Sequence, residues 1–146
     1  MEVLGAVASV LGIATAALQL SQSSYELIDS FRSQRKDVHE IQDDLRGLIA
    51  VLQTICEQAR DANNDDKLRV LGGPLQCCRS ITQEMYDMLQ QCTKHAKDHR
   101  ESVRTWLSLR YREKSFDDAR QRLSSYKSTL TIAFDSINLY ILSYAM

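Results

Sequence analysis

From Val3 to Tyr25 the chain runs for 23 residues without a Lys, Arg, Asp or Glu, directly after Glu2. As a helix this run would be about 34 Å long, close to the hydrocarbon thickness of a bilayer. Gln19, Gln22 and the Ser21, Ser23, Ser24 cluster dilute its second half, leaving Val3 to Leu18 as the apolar part. Its helix is predicted to end near Phe31, before the polar turn Arg32-Ser33-Gln34-Arg35-Lys36. Within it Gly5, Ser9, Gly12 and Ala16 form a stripe of small residues, with Leu4, Val7, Leu11 and Leu18 as a bulkier stripe beside it.

A second helix is predicted from Asp37, an N-cap with Glu40 three residues on. Val38, Ile41, Leu45, Leu48, Leu52, Ile55 and Ala59 alternate spacings of three and four, the seam of a helix packed lengthwise on its neighbours. The helix is expected to fade at Asp61-Ala62-Asn63-Asn64-Asp65-Asp66, and Lys67 to Leu71 to form a short turn of helix. Gly72-Gly73-Pro74 punctuates next, with Pro74 suited to a first helical position. The third long helix carries Cys78, Ile81, Met85, Met88, Cys92 and Ala96 on its inner face. Ser102 to Glu113 reads as a shorter helix with Val103, Trp106 and Leu107 inward. Ser115 caps the last helix, whose inner positions are Phe116, Ala119, Leu123, Tyr126, Leu130, Ala133, Ile137 and Tyr140. No strand alternation persists and no repeat is visible. The pattern predicts an all-α helical bundle of four long helices plus one shorter helix, opened by an apolar N-terminal helix.

The leading segment has three readings. A secretory signal lacks its basic n-region, since only Met1 and Glu2 precede the run. A constitutive membrane span fits the length, and a buried core helix fits a resting soluble bundle. A fourth reading combines the last two: buried at rest, in lipid when released. Small-residue seams allow close helix approach in either setting. Two glycines in a helix interior cost roughly 1 kcal/mol each relative to alanine, which implies a close-packing use for them.

Composition narrows the function classes. At 146 residues the chain is long enough for one domain spanning 1–146, and its end on Tyr144-Ala145-Met146 predicts a domain cut from a longer protein. One proline, five glycines and 44% hydrophobic residues agree with an all-helical chain. A formal net charge of -1 argues against nucleic acid as main partner. Cys56, Cys77, Cys78 and Cys92 lack a disulfide-framework spacing and read as reduced, cytosolic thiols.

No catalytic constellation emerges, so the chain is read as a non-enzyme without a cofactor. Gly72-Gly73-Pro74 lacks the Lys-Ser/Thr ending of a phosphate loop and follows no strand. Cys92, His95 and His99 share a helical face at metal-ligand spacing, but Cys92 fits the core seam and the histidines a polar helix end. No metal is assigned. Basic residues fall into two groups, Arg32, Arg35, Lys36 and Arg100, Arg104, Arg110, Arg112, Lys114, with acidic residues interspersed. Arg32, Arg35 and Lys36 are candidate contacts for anionic lipid headgroups.

The opening Met1-Glu2-Val3-Leu4-Gly5-Ala6-Val7-Ala8-Ser9-Val10-Leu11-Gly12-Ile13-Ala14 is followed by Leu27-Ile28-Asp29-Ser30-Phe31, Asp44-Leu45-Arg46-Gly47-Leu48 and Leu123-Ser124-Ser125-Tyr126-Lys127-Ser128-Thr129-Leu130. On these segments the sequence resembles the HeLo-like N-terminal domains of fungal STAND (NOD-like-receptor-like) proteins. The resemblance implies a cell-death, heterokaryon-incompatibility type bundle. Clustering by an attached receptor would expose its first helix, which then targets and permeabilises membranes. No receptor module or amyloid motif is visible in this chain. The implied effector residues are Val3, Leu4, Gly5, Val7, Ser9, Val10, Leu11, Gly12, Ile13, Ala16 and Leu18. Implied partners are membrane lipids, further copies of the domain and other receptor domains, with residence in the cytoplasm at rest and at the plasma membrane when active. The alternative is a non-lytic interaction or oligomerisation module that keeps its first helix in the core.

Overall fold

In the computed structural model the described residues are 9–31, 36–61, 64–95 and 112–145. They form α1 (Ser9–Phe31), α2 (Lys36–Ala59), the single turn α3 (Asp65–Leu68) continued by a 3-10 turn (Arg69–Leu71), α4 (Gly72–His95) and α5 (Arg112–Ala145). Among the described residues there is no strand, so the all-helical expectation holds with four long helices. The predicted shorter helix falls on 102–111, outside the described residues, and Arg112 and Glu113 belong to α5.

Helix starts differ from the cap predictions. Asp37 lies inside the first turn of α2, Ser115 inside that of α5, and Pro74 is the third residue of α4. An acidic or proline residue is tolerated anywhere in a first turn, where backbone N–H groups have no intrahelical acceptor. At the other end of α2 the backbone N–H of Arg60 donates to the Cys56 carbonyl at 3.2 Å. The Gln58 carbonyl accepts from the Asp61 backbone N–H and from the Asn64 side-chain amide, each at 3.2 Å.

Side-chain pairings fix the directions. Thr15 of α1 lies by Cys56 near the end of α2, and Tyr25 by Arg46 near its middle, so these helices are antiparallel. Glu40, Asp44 and Gln58 of α2 meet Arg120, Lys127 and Asn138 of α5 in the same order, so those two are parallel. α1 packs against α2 and α4, while α5 closes the bundle against the same two helices from the opposite side. The chain therefore crosses between α2 and α4 over one end of the bundle. That crossover buries Leu68 and Leu71, which seal the core there together with Leu75.

Of the predicted α2 seam Ile41, Leu45, Leu48, Leu52 and Ile55 are buried and Ala59 half-buried, Cys56 is buried beside them, and the Val38 side chain lies outside the described ones. Each buried Leu or Ile side chain contributes on the order of 1.5–3 kcal/mol of transfer free energy. α4 buries Leu75, Cys78, Ile81, Thr82, Met85 and Leu89. Its seam drifts at 3.6 residues per turn, so that Leu89 is buried and the predicted Met88 is only half-buried. α5 buries Ala119, Leu123, Leu130, Phe134 and Ile137, with Tyr126 and Ala133 at the margin.

α1 corrects the stripe assignment most sharply. Gly12 is exposed and Ala16 half-buried, whereas the buried line is Val10, Ala14, Ala17, Ser21, Ser24 and Ile28. Small residues do allow close approach, but they are the alanines and serines at the centre of the helix. Leu11, Ile13, Leu18 and Leu27 flank this line and pack on the core.

Two hydroxyls lie in that seam. Ser21 Oγ donates to the Ala17 carbonyl at 2.7 Å, and Ser24 Oγ is fully buried with no partner. An unsatisfied buried hydroxyl costs about 1–3 kcal/mol, so Ser24→Ala should stabilise the domain by about 1 kcal/mol or more in urea denaturation. A lowered midpoint would show that the hydroxyl is bonded in solution. Ala17→Leu should lower stability by about 1–3 kcal/mol in the same assay, because added bulk at this fully buried position has nowhere to go. An unchanged midpoint would mean that the seam is not close-packed.

Candidate functional site

The effector residues expected from the sequence separate into two sets. Val3, Leu4, Gly5 and Val7 lie outside the described residues, as do Arg32 and Arg35 of the headgroup group. Ser9 opens α1 and Lys36 opens α2. Val10 is buried, Leu11, Ile13, Ala16 and Leu18 are half-buried, and Gly12 faces outward. The described effector residues therefore form no common surface: they wrap a helix held on two flanks. Among the described residues no helix is long and apolar enough to cross a membrane.

The exposed apolar surface lies elsewhere. Val70, Ile132 and Leu139 are 66%, 67% and 69% exposed. Val70 on the crossover joins Lys67, Ala133, Ser136 and Ile137 around an open hollow of about 310 Å³. This hollow sits at the crossover end, where α1 begins, α2 ends, α4 begins and α5 finishes. From Ser136 onward α5 carries no charged residue. The described parts of both charge-free stretches thus belong to helices that meet this one end. Periodicity alone could not reveal it, because Val70 sits in a turn too short to have a period.

A second hollow of about 350 Å³ lies between α2 and α5, lined by Glu40, Asp43, Asp44, Arg120, Gln121 and Ser124. Its carboxylates are engaged. Arg120 pairs with Glu40, Lys127 with Asp44 at 3.4 Å, and Arg46 with Asp43 at 3.1 Å. Arg122 reaches Glu84 of α4 at 3.0 Å, and the Gln58 amide donates to Asn138 at 3.2 Å. Gly47 leaves room for Lys127 across α2, since a Cβ there would stand 3.2 Å from its Nζ. Arg46 also donates to Tyr25 Oη at 2.8 Å with its guanidinium 5.6 Å from that ring's centre, tying α1 to α2. These groups fasten helices; they do not converge on a reacting position.

Among the described residues no group of three or more His, Cys, Asp or Glu could hold a metal ion. Of the Cys92, His95, His99 set, His99 lies outside the described residues. Cys56 and Cys78 are buried free thiols and Cys77 an exposed one. Burial first, and the neighbouring Cys77 second, push the Cys78 thiol up to about 12. It stays neutral across the physiological range.

The class these features define is an all-helical bundle domain. Residues 1–145 match the family model described as "Pigment biosynthesis cluster protein PigL N-terminal", and the chain belongs to that fungal family. No curated protein and no solved structure matches the chain.

The thiols provide a check on the packing. Iodoacetamide at pH 8 should label Cys77 of the native protein and spare Cys56 and Cys78, as read by peptide mass mapping. Labelling of Cys78 as fast as Cys77 would show that the first turns of α4 open readily.

Proposed function

We propose that this domain is a non-enzymatic signalling module that, once clustered, delivers its apolar N-terminal segment to a membrane. The observation that carries the reading is the convergence at the crossover end. Val3 to Tyr25 and Ser136 to Met146 are both free of charge, Val70 stands exposed at the hollow, and Leu139 is exposed further along α5. That end sets exposed aliphatic side chains beside the exposed Asp61, Asp66, Lys67 and Arg69 of the crossover, and mixed apolar and charged surface of this kind suits a membrane interface. The HeLo-like resemblance adds a fungal cell-death role, with the domain cytoplasmic at rest and at the plasma membrane when active. Lys36, expected with Arg32 and Arg35 to be a headgroup contact, opens α2 at the end of the bundle opposite the crossover and takes no part in this surface.

The energetics restrict how this works. Val10 to Ile28 line the core, so lifting all of α1 out would uncover the Leu and Ile seams of α2 and α4. Such a change is reached only where lipid contact and assembly together offset the lost burial to within a few kcal/mol. Val3 to Ser9 precede the first buried residue of that line and are the segment to test first. A second reading, a non-lytic interaction module of a receptor, is favoured by the burial of α1 along its described length.

Dye-loaded anionic phospholipid vesicles separate the two. Antibody-clustered, epitope-tagged protein should release dye and the monomer should not. Leu4→Glu and deletion of residues 1–8 should each abolish release while leaving the urea midpoint within about 0.5 kcal/mol. Release that survives both changes refutes the membrane mechanism. Clustered protein that neither leaks nor co-sediments with vesicles assigns the module to protein contacts alone.

A further inference from the structure

The three ion pairs that tie α5 to its neighbours share one polarity. Glu40 and Asp44 of α2 and Glu84 of α4 supply the carboxylates, while Arg120, Lys127 and Arg122 of α5 supply the cations. α2 and α4 thus form an acidic seat with α5 as the basic helix lying in it. The Gln58–Asn138 hydrogen bond fixes the crossover end of the seat, and Ala119, Leu123, Leu130, Phe134 and Ile137 press into its floor. α1 is wedged between α2 and α4 from the other side and holds the seat together without α5.

The connection into α5 is longer than the seat requires. α4 ends at His95 and α5 starts at Arg112, which puts the 16 residues 96–111 between two antiparallel neighbours. Such neighbours stand about 8–10 Å apart, and helices in bundles are joined by about 2–8 residues. Sixteen residues reach roughly 24 Å even if wholly helical, the width of a bundle two helices across. This tether carries α5 as far as the seat of an adjacent copy.

We infer that clustered copies exchange α5, so that the α5 of each lies in the α2–α4 seat of another. Every contact of the closed domain is then re-made between chains, carboxylate to cation and apolar line to apolar floor. The buried area is that of an intact bundle face. The tether sets when this happens. Closure onto a chain's own seat has an effective concentration on the order of mM, so dilute domains stay closed. Copies held together meet at a similar concentration, where own and neighbouring seats compete evenly. Both tethers lie at the end opposite the crossover, so exchange leaves the crossover ends uncovered. Only the clustering step rests on the proposed function.

Mixed disulfide trapping in lipid-free buffer tests the exchange, using epitope-tagged protein in a Cys77→Ser, Cys92→Ser background. Cys introduced by Gln58→Cys on one chain and Asn138→Cys on another meet only if α5 changes seats. In antibody-clustered mixtures this pair should form mixed dimers at least tenfold faster than Gln53→Cys with Asn138→Cys. Gln53 is exposed and, nine residues on from Asp44, lies on the opposite side of α2. Adding Asp44→Lys to the first chain and Lys127→Glu to the second sets like charges in each closed domain and opposite charges in the exchanged pair. Trapping should then speed up at least threefold. A rate at 58 no higher than at 53 overturns the exchange, and charge changes that slow trapping or leave it unaltered overturn the pairing between chains. Helical circular dichroism equal to the parent's certifies that each variant is folded. With no lipid present, this assay and the vesicle assay fail independently.

Discussion

Everything in this bundle turns on how closely α1 lies between α2 and α4. Ala14, Ala17, Ser21 and Ser24 contribute almost no bulk at its centre. Volume in that layer is supplied from the flanks, by Leu45, Leu48 and Leu52 of α2 and by Ile81 and Met85 of α4. Large side chains facing small ones fill a core without voids. With α1 wedged between them, α2 and α4 stand on opposite sides of it, and the chain must bridge them over the bundle end. The crossover with Leu68 and Leu71, and the position of α5 on the far side, follow from that wedge. The serines carry a cost, since a buried hydroxyl without a partner weakens the packing that its small size permits.

Legibility in the sequence followed contrast between faces. α2 alternates an apolar seam with charged residues, and its buried aliphatic positions from Ile41 to Ile55 were readable one by one, Cys56 aside. α1 has no charge between Ser9 and Tyr25, so nothing marks its outer side; residue size alone pointed to Gly12 and Ala16, and the inner line proved to be Ala14, Ala17, Ser21 and Ser24. On α4 the choice between Met88 and Leu89 depends on the drift between a 3.5 and a 3.6 repeat, which is small over one turn. On α5 both Ala133 and Phe134 are apolar, and only the packing tells which is buried more deeply. The crossover end escaped altogether, because it is assembled from a short turn and the ends of four long helices, some of them distant in the chain.

The two outer relations of the bundle differ in kind. α1 is held by apolar burial with Arg46 and Tyr25 as its polar tie. α5 combines a thinner apolar line with Arg120–Glu40, Arg122–Glu84 and Lys127–Asp44, between side chains that keep part of their exposure. Pairs of this sort are worth about 0–1 kcal/mol each and are screened by salt, unlike the burial of α1. Conditions that loosen α5 therefore leave the α1–α2–α4 contacts largely intact.

That difference bears on how any signal passes through the domain. A helix that leaves a bundle must break the contacts that hold it, and α1 holds the most valuable ones. Loosening α5 does not lower that cost, since α5 lies across the bundle from α1 and meets α2 and α4 instead. Clustering that sets crossover ends side by side would preserve the fold, since it breaks none of these contacts. In such an assembly the charge-free segments of neighbouring copies sit on a shared surface, and apolar area accumulates without any core being opened. A gain that scales with the number of copies can offset a cost that a single domain cannot meet. The physics favours gathering intact bundles first, with any movement of α1 coming after.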